Sequence, residues 1–140
     1  MALNLQQFID AQRQDYPIAL AEIKSGRKRS HWMWYIFPQH AGLDPSPTTQ
    51  RFSIAGLDEA QMYLKHVPLG QRLIEISTAL LDLSTNDAHE VFGSPDDKKL
   101  QLSMTLFSLV PNASPVFQAV LDKFFSGQKD EKTIQLLHKN

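Results

Sequence analysis

The stretch 27-RKRSHWMWYIFPQ-39 decides how the chain is classed. It holds both tryptophans of the 140-residue sequence, one of the three tyrosines and one of the eight phenylalanines, directly after three consecutive cations. Read as a helix, it leaves the chain without any convincing strand. Its aromatic and β-branched content also permits a strand, which would make the protein mixed. Ser30 stands where an N-cap belongs and Pro38 where a helix must already have ended, so the spacing predicts a short helix over 31–36. On that helix His31, Trp34 and Tyr35 share a face, while Trp32, Ile36 and Gln39 point elsewhere. Two indoles so close together cannot both face water cheaply. Trp32, Trp34, Ile36 and Phe37 therefore read as a plug for the core.

Working outward, the chain keeps the helical period. Asn4 and Gln7 form a capping-box pattern ahead of Leu5, Phe8 and Ile9. Pro17 is expected to stop or kink this first helix. A second helix, capped by Asp15, would run from Pro17 to Ser25 with Ile18, Leu20, Ala21 and Ile23 on its face and Gly26 closing it. Residues 40-HAGLDPSPTTQRF-52 carry two prolines and read as a surface loop. Asp58 starts a helix over 59–65. Pro68 starts a longer one, with Leu69, Leu73, Ile76, Leu80 and Leu83 on one side. Asp87 and Gly93 bracket a short segment. In 94-SPDD-97, Ser94 suits the N-cap, Pro95 the first helical position, and Asp96 and Asp97 the first turn, of a helix running to about Val110. Ser114 with Pro115 and then Asp130 start the last two helices. About seven short helices joined by turns give one all-α domain over 1–140, in an orthogonal, non-bundle arrangement.

The totals restrict function. A chain of this length buries a core of its own without staples. It has no cysteine, which removes disulfide and thiolate chemistry and fits a reducing compartment. The formal net charge is −1 and charged residues make up 21%, so nothing marks a nucleic-acid surface. The longest apolar run, Trp32 to Pro38, is far short of a bilayer span, and the N-terminus lacks the pattern of a secretory signal, so a soluble cytoplasmic protein is expected. The five histidines are scattered without metal-ligand spacing, and neither a nucleophile elbow nor a phosphate-binding glycine loop is present. No metal and no cofactor is called for.

The chemistry-bearing residues cluster around the opening stretch. Arg27, Lys28 and Arg29 follow one helix end, where cations relieve the dipole, and precede another, where free N–H groups form an anion site. Cations, N–H groups and an indole from Trp32 or Trp34 together suit a phosphate joined to a ring. His31 is placed to transfer a proton near neutral pH. Glu59, in 58-DEAQMYLKH-66, is a second proton-transfer candidate and also an ordinary first-turn acid. Asp96 and Lys99 have the spacing of an exposed helical pair. Ser103 and Thr105 are expected to bond back to their own helix.

These residues carry a resemblance. The runs GRKRSHWMWYIFPQ, AGL, EAQMYLKH, LGQRL, FGSPDDKKLQLSMTLF and FQAVLDKFFSGQKDEKTIQLL resemble the domain-of-unknown-function 1810 family over nearly the whole chain. The resemblance implies a compact all-helical domain of bacteria and some fungi, and no established activity. Where that family reads GLGxS this chain has 42-GLDPS-46, and where it reads HPxLG this chain has 66-HVPLG-70. The calpastatin-like label that some members carry does not fit a chain with a periodic apolar core. A fainter likeness in residue order is to the NADAR family, which cleaves N-glycosidic bonds of ADP-ribose derivatives. It implies roles for Glu59, Tyr63, Asp97, Lys99, Lys123 and Asp130.

The expected function is that of a hydrolase or binder for a nucleotide-like or ADP-ribose-like small anion. His31 or Glu59 would move the proton. Arg27, Lys28, Arg29, Trp32, Trp34, Gln39, Tyr63, Asp97 and Lys99 would contact the ligand. The alternative is a non-catalytic domain that binds another, unknown, protein.

Overall fold

The centre of the aromatic stretch, Met33–Ile36, is one turn of α-helix and not a strand. The computed structural model describes residues 5–138. Among them nine α-helices follow in order: α1 (Leu5–Lys24), α2 (Met33–Ile36), α3 (Pro47–Arg51), α4 (Leu57–Lys65), α5 (Val67–Leu81), α6 (Ala88–Phe92), α7 (Asp96–Ser108), α8 (Val116–Phe125) and α9 (Glu131–His138). A 3-10 turn, Ala41–Leu43, lies between α2 and α3. The described residues contain no strand, and the nearest approach to a sheet is a single parallel bridge between His40 and Ile54. The all-α expectation holds.

Several boundaries differ from those expected. Pro17 neither stops nor divides α1, which runs unbroken for 20 residues. Its buried face, Phe8, Gln12, Tyr16, Ala19 and Ile23, keeps one helical stripe straight through the proline. The Tyr16 hydroxyl, one residue before Pro17, reaches Glu75 and the Arg72 carbonyl on α5, so tertiary contacts hold the helix where the proline removes a backbone bond. Ile18, expected on the buried face, is 48% exposed. Asp15 caps nothing and accepts a hydrogen bond from the Tyr35 hydroxyl. The expected cap at Asn4 lies outside the described residues. The stretch 40–52 is not all loop. Ser46 caps α3 by accepting from Thr49 N, and Pro47 supplies its first position.

At α7 the helix begins one residue later than the SPDD pattern implied. Pro95 holds the cap position and has no side-chain acceptor, while Gly93 O takes Asp97 N at 2.8 Å and Pro95 O takes Lys98 N and Lys99 N at 3.1 and 3.2 Å. Two other starts are displaced as well: α4 begins at Leu57 after Gly56, with Asp58 inside its first turn, and Pro115 holds the cap position of α8. Asp87 and Asp130 do cap their helices, accepting from His89 N and Thr133 N, whereas Ser114 accepts Val116 N from one residue before the cap position. Thr105 does not spend its hydroxyl oxygen on its own helix. It accepts Asp130 N at 2.8 Å and so ties α7 to the start of α9.

The two departures from the family pattern cost the fold nothing visible. Asp44 has φ −147°, an extended conformation needing no glycine, and its carboxylate accepts Ser46 N at 2.9 Å and Thr49 Oγ1 at 3.0 Å. Those two bonds hold its pKa below the usual carboxylate value. In 66-HVPLG-70, α5 starts at Val67 with Pro68 in its first turn, where a missing N–H is harmless. Gly70 has a packing role, because a Cβ there would sit 2.0 Å from the Leu64 carbonyl oxygen.

Aromatic contacts organise the core into two groups. One is a chain of rings, Tyr35–Phe52–Phe8–Tyr63–Phe107–Phe117, with successive centroids 5.1 to 5.8 Å apart. The other is a triangle of Trp32, Phe37 and Phe92 at 5.9 to 6.5 Å. The short helix α2 thus feeds both groups, and only Trp34 and Tyr35 of its neighbourhood stay half-buried.

Candidate functional site

The site grows from the turn after α1. Ser25, Gly26 and Arg27 donate back to the last carbonyls of that helix at 2.9 to 3.1 Å, and Gly26 takes φ +87° to do so. This reversal carries residues 29–32 back over Glu22. The Glu22 carboxylate accepts Arg29 N at 2.8 Å, Ser30 N at 3.1 Å, Ser30 Oγ at 2.6 Å and Trp32 Nε1 at 2.9 Å. Burial pushes its pKa up, but the four hydrogen bonds outweigh that and hold it below the ordinary value. The N–H groups before the aromatic helix, expected to form an anion site, are therefore filled by the chain's own carboxylate. For the same reason Ser30 does not cap α2, since its hydroxyl is committed to Glu22 and the cap position passes to Trp32.

The three consecutive cations separate. Arg27 and Arg29 are exposed. Lys28 turns inward, with its backbone N–H on Val91 O at 2.7 Å and its ammonium 2.8 Å from Asp96, on the Ser30 carbonyl, and 5.0 Å from the centre of the Trp32 ring. Its side chain is only 8% exposed. Asp96 also faces Lys99 at 3.7 Å, the pair expected from their spacing, and Lys99 lies over the Trp34 ring at 5.2 Å.

These groups bound a cleft of 390 Å³ between residues 28–34 and 92–99. Arg29, His31, Trp34, Asp96 and Lys99 are on its wall, with Lys28 beneath. The lining carries three cations against one carboxylate. His31 is exposed, and its side chain makes no hydrogen bond or ion pair among the described residues. A second cleft of 570 Å³ adjoins it through Lys28, Arg29 and Phe92, and holds Arg27 and His89. Asp97 sits beside it, 3.3 Å from His89 Nδ1.

The remaining candidates lie elsewhere. Trp32, 1% exposed, is core. Tyr63 is completely buried, its hydroxyl accepting from Gln12 at 2.9 Å, and burial raises its pKa well above the ordinary phenol value. Gln39 is buried at the bridge, where its carbonyl accepts Ile54 N at 3.0 Å. Glu59 accepts Ala55 N at 2.8 Å, as a first-turn acid does, and lines a different cleft of 360 Å³ with Asp58, Leu136 and Leu137. Beside it, burial lowers the pKa of His40 against the opposing pull of the Ala55 backbone and Glu59, and His40 Nδ1 accepts Gly42 N. Lys123 donates to Leu83 O at 2.6 Å. Asp130 caps α9 and meets Lys98 at 3.0 Å. Its burial raises its pKa, and Lys98 with Thr133 brings it below the usual range. No group of three or more His, Asp or Glu that could hold a metal is found among the described residues.

Two residues that shape the site carried no functional reading in the sequence. Asp96 was legible as a dipole-favoured acid and as the helical partner of Lys99, but not as the partner of Lys28. Glu22 had one available signal, as the sole acid in the last two turns of α1 ahead of a glycine reversal.

The family model described as a protein of unknown function, DUF1810, matches residues 2–137, and the chain belongs to that family. Among solved structures, the chain is similar to the conserved hypothetical protein Rv1873 from Mycobacterium tuberculosis. The two share 43% sequence identity over 97% of each chain, with a TM-score of 0.94. None of the curated proteins matches. No helix among the described residues is long and apolar enough to cross a membrane.

Proposed function

We propose that the chain binds a small anion joined to a planar ring, of the nucleotide or ADP-ribose kind, in the cleft between residues 28–34 and 92–99. The observation that carries this reading is the meeting of a half-buried indole, Trp34, with Arg29, Lys99 and an unpartnered His31 on one wall. An indole offers a stacking face, and cations outnumbering carboxylates attract the anion. Binding is the core of the proposal. A hydrolytic version would place the proton transfer on His31, because Glu59 lines another cleft.

Tryptophan fluorescence gives the test, since Trp32 is sealed in the core and Trp34 borders the cleft. Titration with AMP, NAD and ADP-ribose is expected to quench emission saturably, and Trp34→Phe to abolish the response. No quenching at millimolar concentrations of any of the three would refute it. The second reading, a protein-docking domain, draws on Ile74, 38% exposed beside a 290 Å³ cleft lined by Leu64, Val110 and Phe117, and on the exposed Met62 and Val67.

A further inference from the structure

We infer that Lys99 occupies the ring's seat in the unliganded protein, and that its displacement makes the cleft selective for rings carrying a phosphate. This rests on the binding reading above and adds to it the residue that sets charge selectivity.

Two lysines share the Asp96 carboxylate with unequal grip. Lys28 lies 2.8 Å from Asp96, is 8% exposed, and donates as well to the Ser30 carbonyl. A cation so buried cannot give up its partner without a large penalty, so the Lys28–Asp96 pair stays closed in every state. Lys99 is held by less. Its distance to Asp96 is 3.7 Å, its side chain is 19% exposed, and its other interactions are with the Trp34 ring at 5.2 Å and, at longer range without an ion pair, with the charge of Asp44. An ion pair at that distance and a cation over a partly exposed ring are both weak holds. Because Lys28 already neutralises Asp96, Lys99 can leave without stranding a carboxylate.

Trp34 packs against the core, Lys99 lies over its ring at 5.2 Å, and both line the cleft. A planar ring that stacks on Trp34 must therefore take the place of the lysine ammonium. The freed ammonium needs an anion. A ligand whose phosphate follows its ring into the cleft supplies one, beside Arg29. A neutral ring displaces the lysine and returns nothing. The same side chain thus opposes neutral rings and rewards phosphorylated ones, which neither a passive cation nor a bare indole would do.

The test pairs one ring with and without its phosphate, adenosine and AMP, at fixed low salt, on the wild-type chain, Lys99→Ala and Lys99→Met. Unfolding midpoints of all three proteins are measured alongside; Lys99 is on a helix surface and both replacements suit a helix. In the wild type AMP quenches Trp34 at lower concentration than adenosine. Lys99→Ala is expected to weaken AMP by about fivefold and to strengthen adenosine by about twofold, because the seat is open and the counter-charge gone. Lys99→Met keeps a chain over the indole without charge, and is expected to weaken AMP without strengthening adenosine. If Lys99→Ala shifts adenosine and AMP by the same factor, or leaves both unchanged, the lysine has no such role while the binding site stands. If neither compound quenches the wild type, the site and the role of Lys99 both fall.

Discussion

Trp32 and Trp34 are two residues apart and each has a lysine over its ring, yet they sit in opposite kinds of place. Around Trp32 every polar group is answered from within the chain. Its indole N–H goes to Glu22 at 2.9 Å, and Lys28 above it is sealed by Asp96 at 2.8 Å. Around Trp34 the answers are loose. Lys99 reaches the same Asp96 only at 3.7 Å, and His31 and Arg29 face the open cleft. One carboxylate serving two lysines at unequal distances separates a structural cation–indole pair from one free to meet a ligand. Charge and aromaticity alone do not mark a site; unspent bonding capacity next to a cavity does.

The largest effect expected from breaking this contrast is on stability. Trp32→Ala should cost about 3–5 kcal/mol in urea unfolding, as removal of a large core ring does, and Trp34→Ala only about 1–2 kcal/mol, because part of its surface is already exposed in the fold. Equal costs would mean that both indoles are core. Next comes Glu22→Gln, which removes the charge that four donors point at and should cost about 1–3 kcal/mol at neutral pH. The sign of its pH dependence follows from the lowered pKa. Stability from a carboxylate depressed in the fold is fully present above its ordinary value near 4.5 and is lost as pH falls through the lower folded-state value. Wild type should therefore lose stability on acidification below that point more steeply than Glu22→Gln, as read from unfolding midpoints across the acid range. The smallest difference is between the lysines. Lys28→Met should cost about 1–3 kcal/mol by leaving Asp96 without its near partner, and Lys99→Met about 0.5 kcal/mol or less. A reversed order would show that Lys99, not Lys28, anchors Asp96.

Several local signals whose governing interaction spans three or four residues were legible. Asp87 and Asp130 cap the helices their positions announced, and the Asp96–Lys99 pair forms at its helical spacing. Misreadings arose where a distant group outbid the local one. Pro17 fails to end α1 because Tyr16 is anchored on α5. Ser30 fails to cap α2 because Glu22 takes its hydroxyl. Glu22 also fills the anion site that the bare sequence offered at residues 29–30. Of the candidate site residues, Arg29, His31, Trp34 and Lys99 come together in one cleft, whereas Tyr63 and Trp32 go to the core and Glu59 to another cleft.

By itself, the sequence determined the helical class, because apolar period and capping residues act within one turn, and it determined the family, because HWMWYIFPQ and SMTLF are specific strings. Tertiary structure alone decided which tryptophan is sealed and which borders a cavity. That choice depends on whether Glu22 and Asp96 reach the groups around each ring, and such distances are set only when α1, α6 and α7 close on the aromatic turn.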